Sequence, residues 1–135
     1  MIADSFVTVS VATDYDVLAP DGSEIRILSQ LSCGGMAHGT LPAGRTSLAI
    51  RHRTVAEIWF VLGGSAEIWR RLGDIESVET VLPGQSLTIP TGTEFQFRTS
   101  GPEPFTFIMC TMPPWPGPDE AEFVEGAWKV SNDAL

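Results

Sequence analysis

The chain predicts an all-β fold, about ten antiparallel strands closing into a barrel or sandwich. Three observations carry that expectation. Thirteen glycines and ten prolines fall between short apolar runs, the punctuation of many strands joined by turns. The runs are rich in β-branched and aromatic residues, which suit a pleated, half-buried surface. The breaks APDG, LPAG, LPGQ, PTGT and SGPEP carry turn chemistry.

Taken in chain order, strands are expected over 6–11, 24–31, 36–41, 46–52, 57–62, 66–72, 77–82, 86–89, 94–99 and 105–112. The barrel core is then about 24–112, within a single domain spanning 1–135. The segment 113–123 cannot be a central strand, because Pro113, Pro114, Pro116 and Pro118 remove backbone donors and fix φ. It is expected to run extended over the surface, in a Pro-rich tail (113–135) that Trp115 and Trp128 pin onto the barrel or a second subunit.

Composition narrows the function classes. A chain of 135 residues, 43% hydrophobic and 19% charged, can bury a core without staples, and no apolar run approaches the roughly 20 residues of a membrane span. The first residues lack a basic segment followed by a long apolar one, so no secretion signal is expected and the cytoplasm is the expected location. A formal charge of -9 opposes phosphate backbones and anionic membranes, so neither nucleic acid nor membrane is an expected partner. Asp14, Asp16, Glu76, Glu79, Glu120, Glu122 and Glu125 are scattered and read as a solvated surface. Cys33 and Cys110 lie far apart, outside any CxxC pair, and read as small buried hydrophobes without a redox role.

The chemistry concentrates in IRHRTVAEIWFVLGG, 50–64. If His52 points inward, Ile50 does too, while Arg51 and Arg53 point outward; after a turn, Glu57, Trp59 and Val61 form the next inward set. Further on, Glu94, Gln96 and Arg98 share one face and Phe95 and Phe97 the other, and the phenylalanines are the expected inward pair. His52 and Glu57 then stand among Ile50, Trp59, Phe95, Phe97 and Met109, the usual composition of a small-molecule pocket. The competing expectation is that the same aromatics pack the barrel solid. No nucleophile elbow, phosphate loop or zinc-ribbon spacing is present.

Two spaced frames resemble the cupin superfamily, whose motifs read G-x5-H-x-H-x4-E-x6-G and G-x5-P-x-G-x2-H-x3-N. Gly44, His52, Glu57 and Gly64 hold the first register, with Ile50 at its first histidine. Gly84, Pro90 and Gly92 hold the second, with Phe95 at the histidine and Thr99 at the asparagine. The resemblance implies a jelly-roll β-barrel, a homodimer as in many relatives, and in the family a divalent metal held by three histidines and a glutamate. Only His52 and Glu57 remain here as metal positions; His38 is a candidate to join them, and Glu94 another if a bulge re-aims it. The expectation is a metal-poor pocket for a small organic ligand, where His52 and Glu57 offer acid and base chemistry of the isomerase, cyclase or lyase kind. One alternative is an oxygenase or isomerase using a divalent transition metal on remodelled ligands. The other is a binding module without catalysis, and fold alone does not choose among them.

Overall fold

A computed structural model describes residues 4–131. The strands are β1 (Val17–Leu18), β2 (Glu24–Leu31), β3 (Gly34–Leu41), β4 (Ile50–His52), β5 (Ala56–Gly63), β6 (Ala66–Leu72), β7 (Ile75–Val81), β8 (Ser86–Ile89), β9 (Glu94–Thr99), β10 (Phe105–Met112) and β11 (Ala121–Phe123). They form two sheets, β1-β2-β3-β10-β5-β8 and β11-β4-β9-β6-β7, with antiparallel pairing throughout. The architecture is the expected jelly-roll barrel, and the one short helical turn among the described residues, Pro118–Glu120, lies in the tail. No helix among the described residues is long and apolar enough to cross a membrane.

The strands β2, β6, β8, β9 and β10 begin and end where turn residues place them. Two expectations fail. Residues 6–11 alternate as a strand should, yet form none, because a strand needs a neighbour and none of their backbone groups meets one within the described chain. The segment 46–52 shrinks to Ile50–His52, with only an isolated bridge from Thr46 to Arg98 before it. The cysteines also differ from expectation. Cys33 is exposed beside the β2–β3 turn, and Cys110 sits half-buried on the outward side of β10, whose inward positions belong to Phe107, Met109 and Thr111.

Inward-facing aromatics fill one end of the barrel. Trp59 stacks on Phe107 at 4.2 Å between ring centroids, and Phe97 and Phe105 close around them, all but shut off from solvent. On β5 and β10 these occupy the later and earlier residues respectively, so the opposite end, at Glu57 and Thr111, stays open for a cavity. Gly64 of the first frame has φ of 70°, and a side chain there would run into the Pro104 carbonyl.

The tail packs on its own barrel. Gln96 points outward from β9, yet is fully buried because the tail covers it: its Nε2 donates to Ser47 O and Trp128 O, and its Oε1 accepts from Trp128 N, each at 2.9 Å. The Arg98 guanidinium lies 4.2 Å over the Trp128 ring, a cation–π contact that holds the same corner. β11 then pairs with β4 and completes the edge of the smaller sheet.

Candidate functional site

A cavity of about 280 Å³ opens between the two sheets. β4 contributes Ile50 and His52, β5 Glu57 and Trp59, and β10 Met109 and Thr111; Asp21 enters from the loop before β2, and Trp115 closes over from the tail. Short strands with strict alternation put these side chains on one wall while their neighbours face out. A wider groove of about 680 Å³ runs outside β7 and β8, but its Arg70 and Glu79 already pair with each other.

His52 is 3% exposed and lies between two aromatic edges, Phe95 at 5.3 Å and Trp115 at 5.0 Å between ring centroids. Its Nδ1 is buried with no hydrogen-bond partner and stands 3.9 Å from Glu57 Oε2, too far for a hydrogen bond. Burial lowers its pKa to about 4, with the charge of Glu120 acting weakly the other way. The imidazole is therefore neutral at pH 7.

Glu57, 4% exposed, accepts one hydrogen bond, from Trp59 Nε1 at 2.7 Å. Burial pushes its pKa up to about 8; the Trp59 bond partly offsets this, while the negative charges of Asp21 and Glu120 add to it. The side chain is a neutral carboxylic acid at pH 7 and can donate a hydrogen bond. A neutral acid and a neutral base thus face each other across the cavity, not an ion pair.

Asp21 is a third polar group, its Oδ1 accepting from Ser23 N at 2.8 Å and Ser23 Oγ at 2.6 Å, and burial raises its pKa despite those bonds. In the sequence it reads only as part of the APDG turn. Trp115 reads only as an anchor of the tail, and nothing in its local sequence signals that the tail returns to the cavity mouth.

The remaining expectations divide. Ile50, Trp59 and Met109 line the cavity; Phe95 and Phe97 do not, and pack edge-on against Trp59 in the core, Phe95 also touching His52. His38 does not reach inward: it stands between Arg26 and Ile108 in register, on the outer side of its sheet. Glu94 stays outward opposite Arg51 and Arg71, and no bulge interrupts that pairing. Among the described residues no group of three His, Cys, Asp or Glu side chains is placed to hold a metal ion. Ile50 and Phe95, opposite each other in register and each 1% exposed, put carbon at two of the three positions where a cupin presents histidine nitrogen. The donor set therefore does not fit the four-ligand ion.

Glu120 overturns its reading as solvated surface. It is 6% exposed, and its carboxylate accepts from Thr54 N at 2.7 Å, Thr54 Oγ1 at 2.5 Å and Val55 N at 2.9 Å. It ties the tail to the turn between β4 and β5, which carry the cavity's acid and base.

Comparison with known proteins agrees with this architecture. The Cupin domain family matches residues 37–111. An uncharacterised protein of Methanocaldococcus jannaschii is 29% identical over 114 residues, 78% of this chain and 88% of that one. Among solved structures, an uncharacterised conserved protein of Klebsiella pneumoniae with a double-stranded β-helix domain superposes with a TM-score of 0.67 at 20% identity, covering 90% of this chain and 99% of that chain. The capsular polysaccharide assembling protein CapF of Staphylococcus aureus gives 0.68 at 19% identity, over 90% of this chain and 35% of its own. Oxalate decarboxylase of Bacillus subtilis gives 0.65 at 15% identity, over 79% and 29%.

Proposed function

Since this chain belongs to the cupin family, whose barrels open on an interior cavity, we propose that it binds a small organic ligand there through His52 and Glu57 without the family's four-ligand metal. The observation that carries this reading is the buried, unpartnered Nδ1 of His52, which faces a protonated carboxyl in a cavity whose other polar lining is Asp21, Gln30 and Thr111. Buried polar atoms without partners are rare, and one lining a cavity calls for a ligand atom. A ligand with a donor for His52 and an acceptor for Glu57 satisfies both.

The same pair supports proton-transfer chemistry of the isomerase, cyclase or lyase kind. His52 accepts a proton from a carbon beside a carbonyl, and Glu57 donates its own to the carbonyl oxygen, so net charge in the cavity does not change. Apolar walls and Trp115 over the mouth exclude water from the intermediate. Binding without turnover is the second reading, and an assay for proton exchange at a bound carbonyl compound separates the two.

The test of the binding reading is thermal stabilisation by a panel of small carbonyl compounds and alcohols, with and without chelator. The expected result is stabilisation indifferent to chelator and lost in His52→Ala. Ile50→His with Phe95→His should create divalent-metal affinity that the unmodified chain lacks. Stoichiometric metal in the unmodified protein, released by His52→Ala, would contradict the proposal.

A further inference from the structure

The six-stranded sheet presents the cavity with two cross-strand rows of different chemistry. Nearer the packed core, Ile27, Ala37, Met109 and Trp59 stand side by side in register across β2, β3, β10 and β5, and all four line the cavity. One pleat further out runs Gln30, Gly35, Thr111 and Glu57, again in register and again lining it. The first row is wholly apolar. The second is polar at every position that carries a side chain.

A bulge puts Gln30 in that row. Three residues separate it from Ile27, so an unbroken strand would turn the two to opposite faces. The register shifts between them, which re-aims Gln30 towards the cavity, a use of bulges that recurs beside active sites. Gly35 keeps the row open: a Cβ there would lie 3.3 Å from Gln30 Cγ and 3.4 Å from Thr111 Oγ1, filling the space between those side chains. Neither Thr111 Oγ1 nor the Gln30 amide has a hydrogen-bond partner among the described residues, although Thr111 is only 8% exposed. With the unpartnered Nδ1 of His52, the cavity therefore offers free hydrogen-bonding groups from Glu57 out to its mouth.

Charge and size narrow the class of ligand. Among the described residues no lysine or arginine lines the cavity, whereas Asp21 and Glu57 do. A carboxylate or phosphate on the ligand would lose its water there and meet no cation. The volume of about 280 Å³, roughly nine times a water's share of the liquid, admits a ligand of about ten non-hydrogen atoms.

Given ligand binding at His52 and Glu57, on which this inference rests, we propose that Glu57, Thr111 and Gln30 form the specificity-determining edge of the cavity. It selects an uncharged α-hydroxyketone with an apolar body over the matching ketone and the matching α-keto acid. The carbonyl oxygen accepts from the Glu57 carboxyl. Neighbours in a cross-strand row stand about 5 Å apart, which sets the Thr111 hydroxyl beside the oxygen on the adjacent carbon of the ligand, where it can donate or accept. Gln30 covers the same oxygen from the mouth with an amide that does both. The apolar body lies on the Ala37, Met109 and Trp59 row behind.

The test is titration calorimetry of the full chain at pH 7 with matched probes in a phenyl and an isobutyl series. Each series holds an α-hydroxyketone, the methyl ketone without the hydroxyl, and the α-keto acid. The parent should bind each hydroxyketone about tenfold more tightly than its ketone, the worth of one neutral hydrogen bond, and about 100-fold more tightly than its acid. Thr111→Val keeps the shape and removes only an unpartnered hydroxyl, so the tenfold preference should vanish while ketone affinity and thermal stability hold. Gln30→Leu, at the exposed mouth, should lower the same preference by roughly threefold. Equal binding of ketone and hydroxyketone, equal binding of acid and hydroxyketone, or a Thr111→Val or Gln30→Leu variant that keeps the full preference would overturn the inference. In each of those cases, ketone binding that is lost in His52→Ala leaves the underlying reading standing. A parent that binds no member of either series overturns both.

Discussion

Glu57 and Glu120 are the same residue type, buried to nearly the same degree at 4% and 6% exposure, and the fold drives them in opposite directions. At Glu57 burial in an apolar wall is met by one hydrogen bond, and the pKa rises to about 8. At Glu120 burial also opposes the charge, but Thr54 and Val55 supply three donors that outweigh it, and the pKa falls below the ordinary carboxylate range. Glu57 lies deep in the barrel with one donor and Glu120 lies just beneath the surface in the tail with three, and depth and donor count together separate a poised acid from a structural tie. One ties the tail to the β4–β5 turn; the other faces the cavity.

Breaking the tie should cost the most. Glu120→Ala leaves Thr54 N and Val55 N without a partner and frees the tail beside His52, at a cost of about 4 kcal/mol in urea unfolding at pH 7. Because Glu120 titrates lower in the folded chain than in the unfolded one, its contribution is present above the unfolded pKa and lost as pH falls through the folded value. Acid should therefore shrink the penalty of this variant.

Removing the poised acid should do the reverse. Glu57 holds its proton to about pH 8 when folded but ionises near 4.5 when unfolded, so stability falls as pH rises between those values. Glu57→Gln keeps the shape and the Trp59 bond without the titration, and should stabilise the chain by about 3 kcal/mol at pH 7 and by almost nothing at pH 4. The same substitution should weaken ligand binding at pH 7. Stabilisation with loss of function is the pattern of a strained functional site.

His52 gives a smaller and opposite pH signature. The unfolded imidazole protonates near 6.5 and the folded one only near 4, so stability falls as pH drops through that window. His52→Gln should recover about 2 kcal/mol at pH 5 and nothing at pH 8, as read from unfolding curves in urea. Smallest of all is the Trp59 bond itself: Trp59→Phe removes the donor that Glu57 has among the described residues, a loss of about 1 kcal/mol apart from the ring volume given up, and raises the Glu57 midpoint further.

The sequence carries the barrel well and the environment of its groups less well. Alternation and turn residues locate β2, β6, β8, β9 and β10 to the residue or nearly so, because both signals are local. They also bring His52, Glu57, Ile50, Trp59 and Met109 to one cavity. Residues 6–11 mislead because period two reports a strand's readiness to pair and not the presence of a neighbour. Phe95 and Phe97 are inward as alternation requires, but depth along the barrel is not written in alternation, and both pack against Trp59 in the core without lining the cavity. His38 shows the converse, since its outward direction follows from a register visible only once β3 lies between β2 and β10. Glu120 and Gln96 are buried by chain that returns from the tail, a contact of long sequence separation that no local pattern announces.

What distinguishes this cavity is a neutral acid beside a neutral base, and the most direct measurement of it is the carboxyl carbon shift of Glu57 followed by NMR against pH, with Glu120 as internal reference. The Glu57 midpoint should fall near 8, with Glu120 ionised throughout the neutral range. A Glu57 midpoint near the unperturbed 4.5 would contradict this, leaving an ordinary carboxylate in the cavity and no proton there to give.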